Sequence, residues 1–423
     1  RIMLDRKWVR EHADAVRRAA EIKRIGVDVD AYFAADEAHR SLLQQVENLR
    51  GELKAASKLL GKMSAEERAG ALDQQKAQKA QLKDLEGQEA AAKIAFDALA
   101  ALLPTPPADD VPVGKDDTEN VEITSWGKVP EFDFDILDHV ALGEKHGMID
   151  IPRGVALGGS RNYLLLGDGA LLERAVLQMA VDHMQAREFE LVSVPTLVLP
   201  KCMEGTGYFP GGEDQAYMCE RDDLALVGTS EVPLTSIHAG EVLSPEQVPL
   251  RRIAVSPCYR REAGTYGKDT KGLYRVHQFW KCEQVVIGPA DEAWSLAEHK
   301  RMLAHATDFM QLLELPYRVV NVCSGDLGQG QVQKFDIETW MPSRNSYGET
   351  HSASRFHDFQ SRRLNLRYRN QEGKPVFCHT LNNTVIASPR VLIALIENHQ
   401  QADGSIRIPE ALQPYLGGRK QIG

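Results

Sequence analysis

Apolar residues at Leu42, Val46, Leu49, Leu53, Ala56 and Leu60 recur at spacings of 4, 3, 4, 3 and 4, and no other feature limits the fold as tightly. That alternation is the seam of a coiled coil. It returns at Leu82, Leu85, Ala92, Phe96, Leu99 and Leu103, with Glu89 standing where an apolar residue is due. Between the two runs Gly61 and the stretch MSAEER break the pattern, and Ser64 with Glu67 offers a capping box for a second helix. Two long helices over about 28–103 are therefore expected to fold back as an antiparallel hairpin, projecting roughly 50 Å at about 1.5 Å per residue. An arm so thin holds no deep pocket, and its use is reach. Arg50, Lys54, Lys58, Lys62, Arg68, Lys76, Lys79 and Lys83 stand on it against four acids, a local balance of +4 in a chain of net charge −10. Such a bias suits a phosphate backbone, although a solvated helix surface has the same composition.

Beyond the arm, LPTPPADDVPVG ends the helix by proline. The expected organisation is an N-terminal domain over 1–103, a linker over 104–120 and a larger domain over 121–423. In that last part short β-branched and aromatic runs alternate with single helices, out of βαβ order, which implies an α+β fold with an antiparallel sheet. Leu172, Val176 and Met179 mark a helix face, and Phe189–Pro195 reads as a strand. RRIAVSPCYRREA and YRVHQFWKCEQVVI read as two strands joined by a glycine-bearing loop, and KPVFCHTLNN as another. Ser388 is placed to cap a helix with Pro389 at its first position.

With 43% hydrophobic and 26% charged residues the chain is an ordinary globular one. No run of about 18 apolar residues is present, and the first twenty residues are charged throughout, unlike a signal peptide. A cytoplasmic protein without membrane partners is expected, starting natively at Met3. The six cysteines lie far apart with no C-x-x-C pair, so they read as buried reduced thiols, and no zinc site is expected.

The segment CYRREAGTYGKDTKGLYRVHQF, Cys258–Phe279, concentrates cations in an acidic chain. No phosphate-binding glycine motif is present, so side chains must meet any phosphate. Arg260, Arg261, Lys268, Lys271 and Arg275 can grip phosphate or carboxylate oxygens. Glu262 can accept from an exocyclic amine and Phe279 offers a face for a base. Together they describe an ATP site, and a charged surface hairpin with one buried phenylalanine reads the same way.

CYRREAG…GLYRVHQFWKCE resembles motif 2 of the class II aminoacyl-tRNA synthetases in its seryl-tRNA synthetase form. The resemblance runs along the chain. MLDRKWVREHADAV resembles that family's N-terminus, the hairpin its tRNA-binding arm, GTGYFP and GTSEVPL its substrate-side loops, and GETHSASRFHDFQSRR and HTLNNTVIASPR its metal-side strand and motif 3. KMSAE at Lys62 is similar to a loop of the other, Rossmann-type synthetases, but it sits at a hairpin turn without the partner motif and is set aside.

The resemblance implies a serine--tRNA ligase that forms seryl-adenylate from L-serine and ATP and passes the seryl group to serine tRNA, and to selenocysteine tRNA as well. By it, Arg260 bridges the serine carboxylate and the α-phosphate. Glu262 meets the adenine amine, Phe279 and Arg390 cover the ring from either side, Arg275 holds a bent triphosphate and Val276 offers backbone contacts. Arg261, Thr350 and His351 complete the ATP set. Glu349 and Ser352 ligate Mg2+, whose preference for oxygen they suit. Thr229, Ser230, Glu231, Glu283, Asn382 and Thr384, with Arg260, select serine. Arg260, Glu349 and Arg390 are the implied catalytic residues. Judged by spacing alone, His351 and His357 are packing or surface residues. The family is a homodimer through the helix and strand around Pro195, and its arm reaches tRNA bound to the other subunit. HSASR and NNT stand where many members carry SSCSN and NGS, which puts Asn383 in place of a glycine. The rival readings are a catalytically inactive tRNA-binding paralogue and a relative that charges a carrier protein; such relatives typically lack the long hairpin.

Overall fold

The computed structural model describes residues 4–60, 64–264 and 272–423, in two compact units, Arg1–Pro104 and Thr105–Gly423. The hairpin turn with Lys62, the Glu67 side chain of the expected capping box, and Lys268 and Lys271 lie outside the described residues.

In the first unit helices α1 (Val29–Leu60) and α2 (Ala65–Ala100) form the hairpin. The seam is where the spacing puts it: Val46, Leu49, Leu53, Phe96 and Leu103 are buried, and Leu42, Leu60, Leu82, Leu85 and Leu99 are half-buried. Glu89, the polar residue in that seam, meets Nε2 of His39 at 2.9 Å, so the break in the pattern is a cross-helix pair. At the base Asp36 is almost fully buried and accepts from Arg6 at 2.6 Å and Arg10 at 3.1 Å, which ties the helix Arg6–Glu11 to α1. Because Asp36 is enclosed while its arginines are partly exposed, only the loss of both would strand its charge. Arg50, Lys54, Lys58, Arg68, Lys76 and Lys79 are all exposed along the arm.

The second unit is built on one large sheet. Its strands are β1 (Val121–Trp126), β2 (Glu190–Leu191), β3 (Leu250–Tyr259), β4 (Gln278–Gly288), β5 (Tyr317–Asn321), β6 (Gln333–Met341), β7 (Ser346–Arg355) and β8 (His379–Ala387). They lie in the order β1-β5-β6-β7-β8-β4-β3-β2, antiparallel throughout except for the β2–β3 pair. Helices α3 (Asp168–Gln185), α4 (Glu292–Leu312) and α5 (Ser388–Asn398) share the main core with Ile253, Cys282, Val286, Ile337 and Leu381. The α+β reading holds. Alternation then decides the site: on β4 Cys282 and Val286 point into this helical core, while Phe279, Lys281 and Glu283 line a cavity on the opposite face.

Three local expectations differ. The run read as one strand over 189–195 pairs only at Glu190–Leu191, a short parallel edge. Ser388 is the first residue of α5 and makes no cap; its hydroxyl accepts from the Trp280 backbone N–H at 3.2 Å. Four of the six free thiols are buried, while Cys202, packed against the cluster around Val198 and Met203, and Cys219 are half-buried. The proline-rich segment after α2 packs within the second unit: the Thr105 and Ala108 amides donate to Gln329 and Val332, and Val111 is buried against Val320 and Val322. Among the described residues no helix is long and apolar enough to cross a membrane.

Candidate active site

The cavity on the open face of the sheet measures about 340 Å3 and collects side chains from β4, β7, β8 and the start of α5. That volume suits a small-molecule ligand. Two bulges aim its polar groups. In the β6–β7 ladder the register slips so that Glu338 faces Glu349 and Asp336 faces Ser352, leaving Thr350 as the extra residue. Strict alternation would set residues three apart on opposite faces; the bulge brings Glu349 and Ser352 to the same cavity. A second slip, between β4 and β8 at Cys282/Glu283, sets Thr384 opposite Glu283.

One end is cationic and aromatic. Arg260 leaves the end of β3 with its guanidinium 5.3 Å from the Phe279 ring centroid and its Nε 3.4 Å from the Gly228 carbonyl. Glu262 lies in the left-handed region, φ 53°, a strained geometry of the kind found at functional turns. Its carboxylate is 3.4 Å from Arg275 Nη1. Arg390 follows Pro389 into α5, donates to the Glu349 carbonyl at 2.6 Å, and lies over the Tyr274 ring at 4.3 Å. Its Nη1 is also 3.4 Å from the Glu349 carboxylate. Crowding by the cavity walls pushes the Glu349 carboxyl up, but Arg390, Lys334 and Arg260 outweigh it, and the group lies below the usual carboxylate range. It therefore offers a charged oxygen at neutral pH. The two oxygen donors, Glu349 and Ser352, fit a hard cation that takes its other ligands from water and phosphate. Among the described residues no cluster of three or more His, Cys, Asp or Glu is gathered for a metal.

The other end is buried and acidic. Glu231 accepts from the Tyr208 hydroxyl at 2.8 Å and from Gln360 Nε2 at 2.7 Å. Burial and the nearby charge of Glu283 push its carboxyl up to about 7. Glu283 is paired with Lys281 and accepts from Thr384 Oγ1 at 3.3 Å. Asn382 lines the same wall. Asn383 does not: it is fully buried on the other face, where its Nδ2 donates to the Met302 carbonyl of α4 at 3.0 Å. Its φ is not positive, so the position makes no demand for glycine.

Of the residues singled out from the sequence, Arg260, Glu262, Val276, Phe279, Glu349, Thr350, His351, Ser352, Arg390, Glu231, Glu283, Asn382 and Thr384 line this cavity. Four stand back from it. Arg261 lies over the Tyr217 ring at 6.0 Å, and Arg275 reaches the site through Glu262. Ser230 turns to the Ser256 hydroxyl at 2.8 Å, and Thr229 lies behind Lys281. The His351 ring is engaged by Thr350 Oγ1 and the Val385 carbonyl, and burial lowers it to about 4, so it is a neutral packing group at the wall. Lining residues that the sequence reading gave no role include Tyr208, Tyr274 and Lys281, which lie within its motifs, and the turn 328–331, which lies outside them, where Gln331 donates to Ser354 Oγ at 2.8 Å. Strand alternation from Glu283 points to Lys281; no sequence signal points to Gln331.

Comparison with known proteins gives a concordant result. Residues 3–107 match the family model described as the seryl-tRNA synthetase N-terminal domain, and residues 217–399 that of the tRNA synthetase class II core domain (G, H, P, S and T). A serine--tRNA ligase of Deinococcus radiodurans is 47% identical over 421 residues, covering 100% of this chain and 99% of the relative. One from Rhodococcus opacus is 42% identical over 98% of this chain and 99% of its own. Among solved structures, seryl-tRNA synthetase from Pyrococcus horikoshii complexed with ATP superposes with a TM-score of 0.92 at 36% identity, covering 99% of each chain. Full-length ligases as relatives lend no support to an inactive paralogue. Fold, cavity and relatives agree that the chain belongs to the seryl-tRNA synthetase family, the serine--tRNA ligases of class II.

Proposed function

We propose that this cavity forms seryl-adenylate from L-serine and ATP, releasing pyrophosphate, and that the seryl group then passes to serine tRNA. The observation that carries the reading is one cavity that joins a cationic, aromatic end holding Arg260 beside Phe279, suited to a nucleotide, to a buried acidic end suited to an ammonium. The reaction brings a carboxylate onto an α-phosphate, so a fixed cation between the two anions lowers the barrier where charge accumulates. Glu262 and Phe279 receive adenine, Arg390 covers its other face, and Arg275 steadies the phosphate tail through its place beside Glu262. Val276, Thr350, His351 and the more distant Arg261 complete that end. Glu231, Glu283, Asn382 and Thr384, backed by Thr229 and Ser230, hold the ammonium and test for a hydroxyl, since polar groups left unpaired penalise a substrate lacking one. Glu349 and Ser352 hold Mg2+, which supplies charge compensation on the phosphates when bound.

The exposed cations of the arm, Arg50, Lys54, Lys58, Arg68, Lys76 and Lys79, together with Lys62, take the phosphate backbone of serine tRNA, and of selenocysteine tRNA by the same contacts. Exposed Leu191, Leu197 and Leu199 around Pro195 support a homodimer through that segment. The work is cytoplasmic, where tRNA is charged. Exchange of labelled pyrophosphate into ATP, run without tRNA over all twenty amino acids, tests the reading: serine alone is expected to support exchange, and exchange with none or with another amino acid overturns it.

A further inference from the structure

Lys281 lies on β4 two residues before Glu283, so both side chains emerge on the cavity face. Its ammonium is paired with the Glu283 carboxylate and donates to Thr229 Oγ1 at 2.7 Å, with only 7% of the side chain exposed. Thr229 Oγ1 also accepts from the Glu231 backbone N–H at 3.2 Å, so its two lone pairs are engaged and it meets the cavity through the lysine. The floor of this end holds two buried carboxylates and one buried ammonium. The donors to Glu231, Tyr208 and Gln360, are neutral, so Lys281 is the cation seated within the acidic pair.

Resting on the reading of this end as the amino-acid site, we propose that Lys281 is a positioning residue for the substrate ammonium: it fixes the Glu283 carboxylate and the Thr229 hydroxyl, and offsets one of two carboxylate charges so that the pocket takes up one further cation. Two carboxylates in one buried site would otherwise tend to share a proton, as like charges there do. With the lysine present and Glu231 ionised, one net negative charge faces one incoming ammonium. The Glu231 carboxyl, already pushed up to about 7 by burial and Glu283, is held from rising further by Lys281. The other titratable groups facing this cluster are Tyr208, the Cys258 thiol, the Arg260 guanidinium and His351, while the Cys282 thiol lies behind it on the helical-core face of β4. Burial pushes the phenol and both thiols up and the imidazole down, so these four stay neutral across the neutral range.

The test is serine-dependent pyrophosphate exchange by the full-length protein and its Lys281→Met and Lys281→Arg variants, with KM for serine and ATP determined separately across the neutral pH range. Exchange by the unaltered protein tests the amino-acid site itself, so its failure is seen apart from that of the lysine. Lys281→Met is expected to raise the KM for serine about tenfold or more and leave that for ATP within about twofold. It should also move the acid limb of kcat/KM for serine to higher pH, and Lys281→Arg should keep that limb in place. A serine KM within about twofold of the unaltered protein, or serine and ATP KM values rising together, overturns the proposal. If Lys281→Met does not fold, the Lys281→Met/Glu283→Gln pair removes both charges at once. It is expected to bind serine no worse than Glu283→Gln alone, and a further additive loss refutes the coupling.

Discussion

Replacing Arg260 with alanine separates the chemistry of the cavity from the stability of the fold. The side chain is exposed, its one carbonyl contact is long at 3.4 Å, and its guanidinium lies 5.3 Å from the Phe279 ring. A hydrogen bond of that length is near the limit of usefulness, and an exposed cation–aromatic contact contributes about 0.5–1 kcal/mol. Arg260→Ala should therefore lower stability by about 1 kcal/mol or less, a shift in Tm of about 2 °C in a domain of this size. Removing a fixed charge from the reacting centre costs far more, about 100–1,000-fold in turnover or about 2.7–4 kcal/mol. Serine-dependent pyrophosphate exchange measures the loss, with thermal unfolding and tRNA binding as controls. Exchange within about threefold of the unaltered protein, with the fold intact, would refute the role given to Arg260.

Other outcomes follow from the same geometry. Deleting residues 45–80 shortens the exposed arm and should leave serine activation intact while abolishing transfer to tRNA; loss of exchange in that variant would show that the arm serves the cavity. Because Glu231 is held at about 7 by burial first and by Glu283 next, it becomes neutral as pH falls through that value. The kcat/KM for serine should then drop below neutral pH, approaching tenfold per pH unit, and a profile flat from mildly acid to mildly alkaline pH would contradict the ammonium-binding role. Asn383→Gly should leave the KM for serine unchanged, because the side chain faces α4, but should lower Tm through the lost bond to Met302 and a glycine within a buried strand; altered choice between serine and alanine would place Asn383 in the pocket after all.

The hairpin was legible in the sequence because a coiled-coil seam is a local pattern: each residue three or four along contributes to the same stripe, and the one exception, Glu89, is answered by His39 across the seam. The antiparallel α+β body was legible from the order of its elements. Residue types alone marked the turn after β3 as cationic, but they fitted an ATP site and a charged surface hairpin equally, and the resemblance to a family chose between them. Alternation could not tell that Glu349 and Ser352 share a cavity, since residues three apart on a regular strand oppose one another; the resemblance to a family grouped them, and the bulge at Thr350 gives the physical reason. The acidic end was decided by tertiary structure as well. Tyr208, Glu231, Lys281, Glu283 and Gln360 come from segments far apart in the chain, and only their burial together makes two carboxylates compete, raises one of them and seats a lysine between Glu283 and Thr229. The sequence determined which elements form and which residue types are present. Long-range packing decided which of them face the same water-poor space, and the electrostatics of the site follow from that.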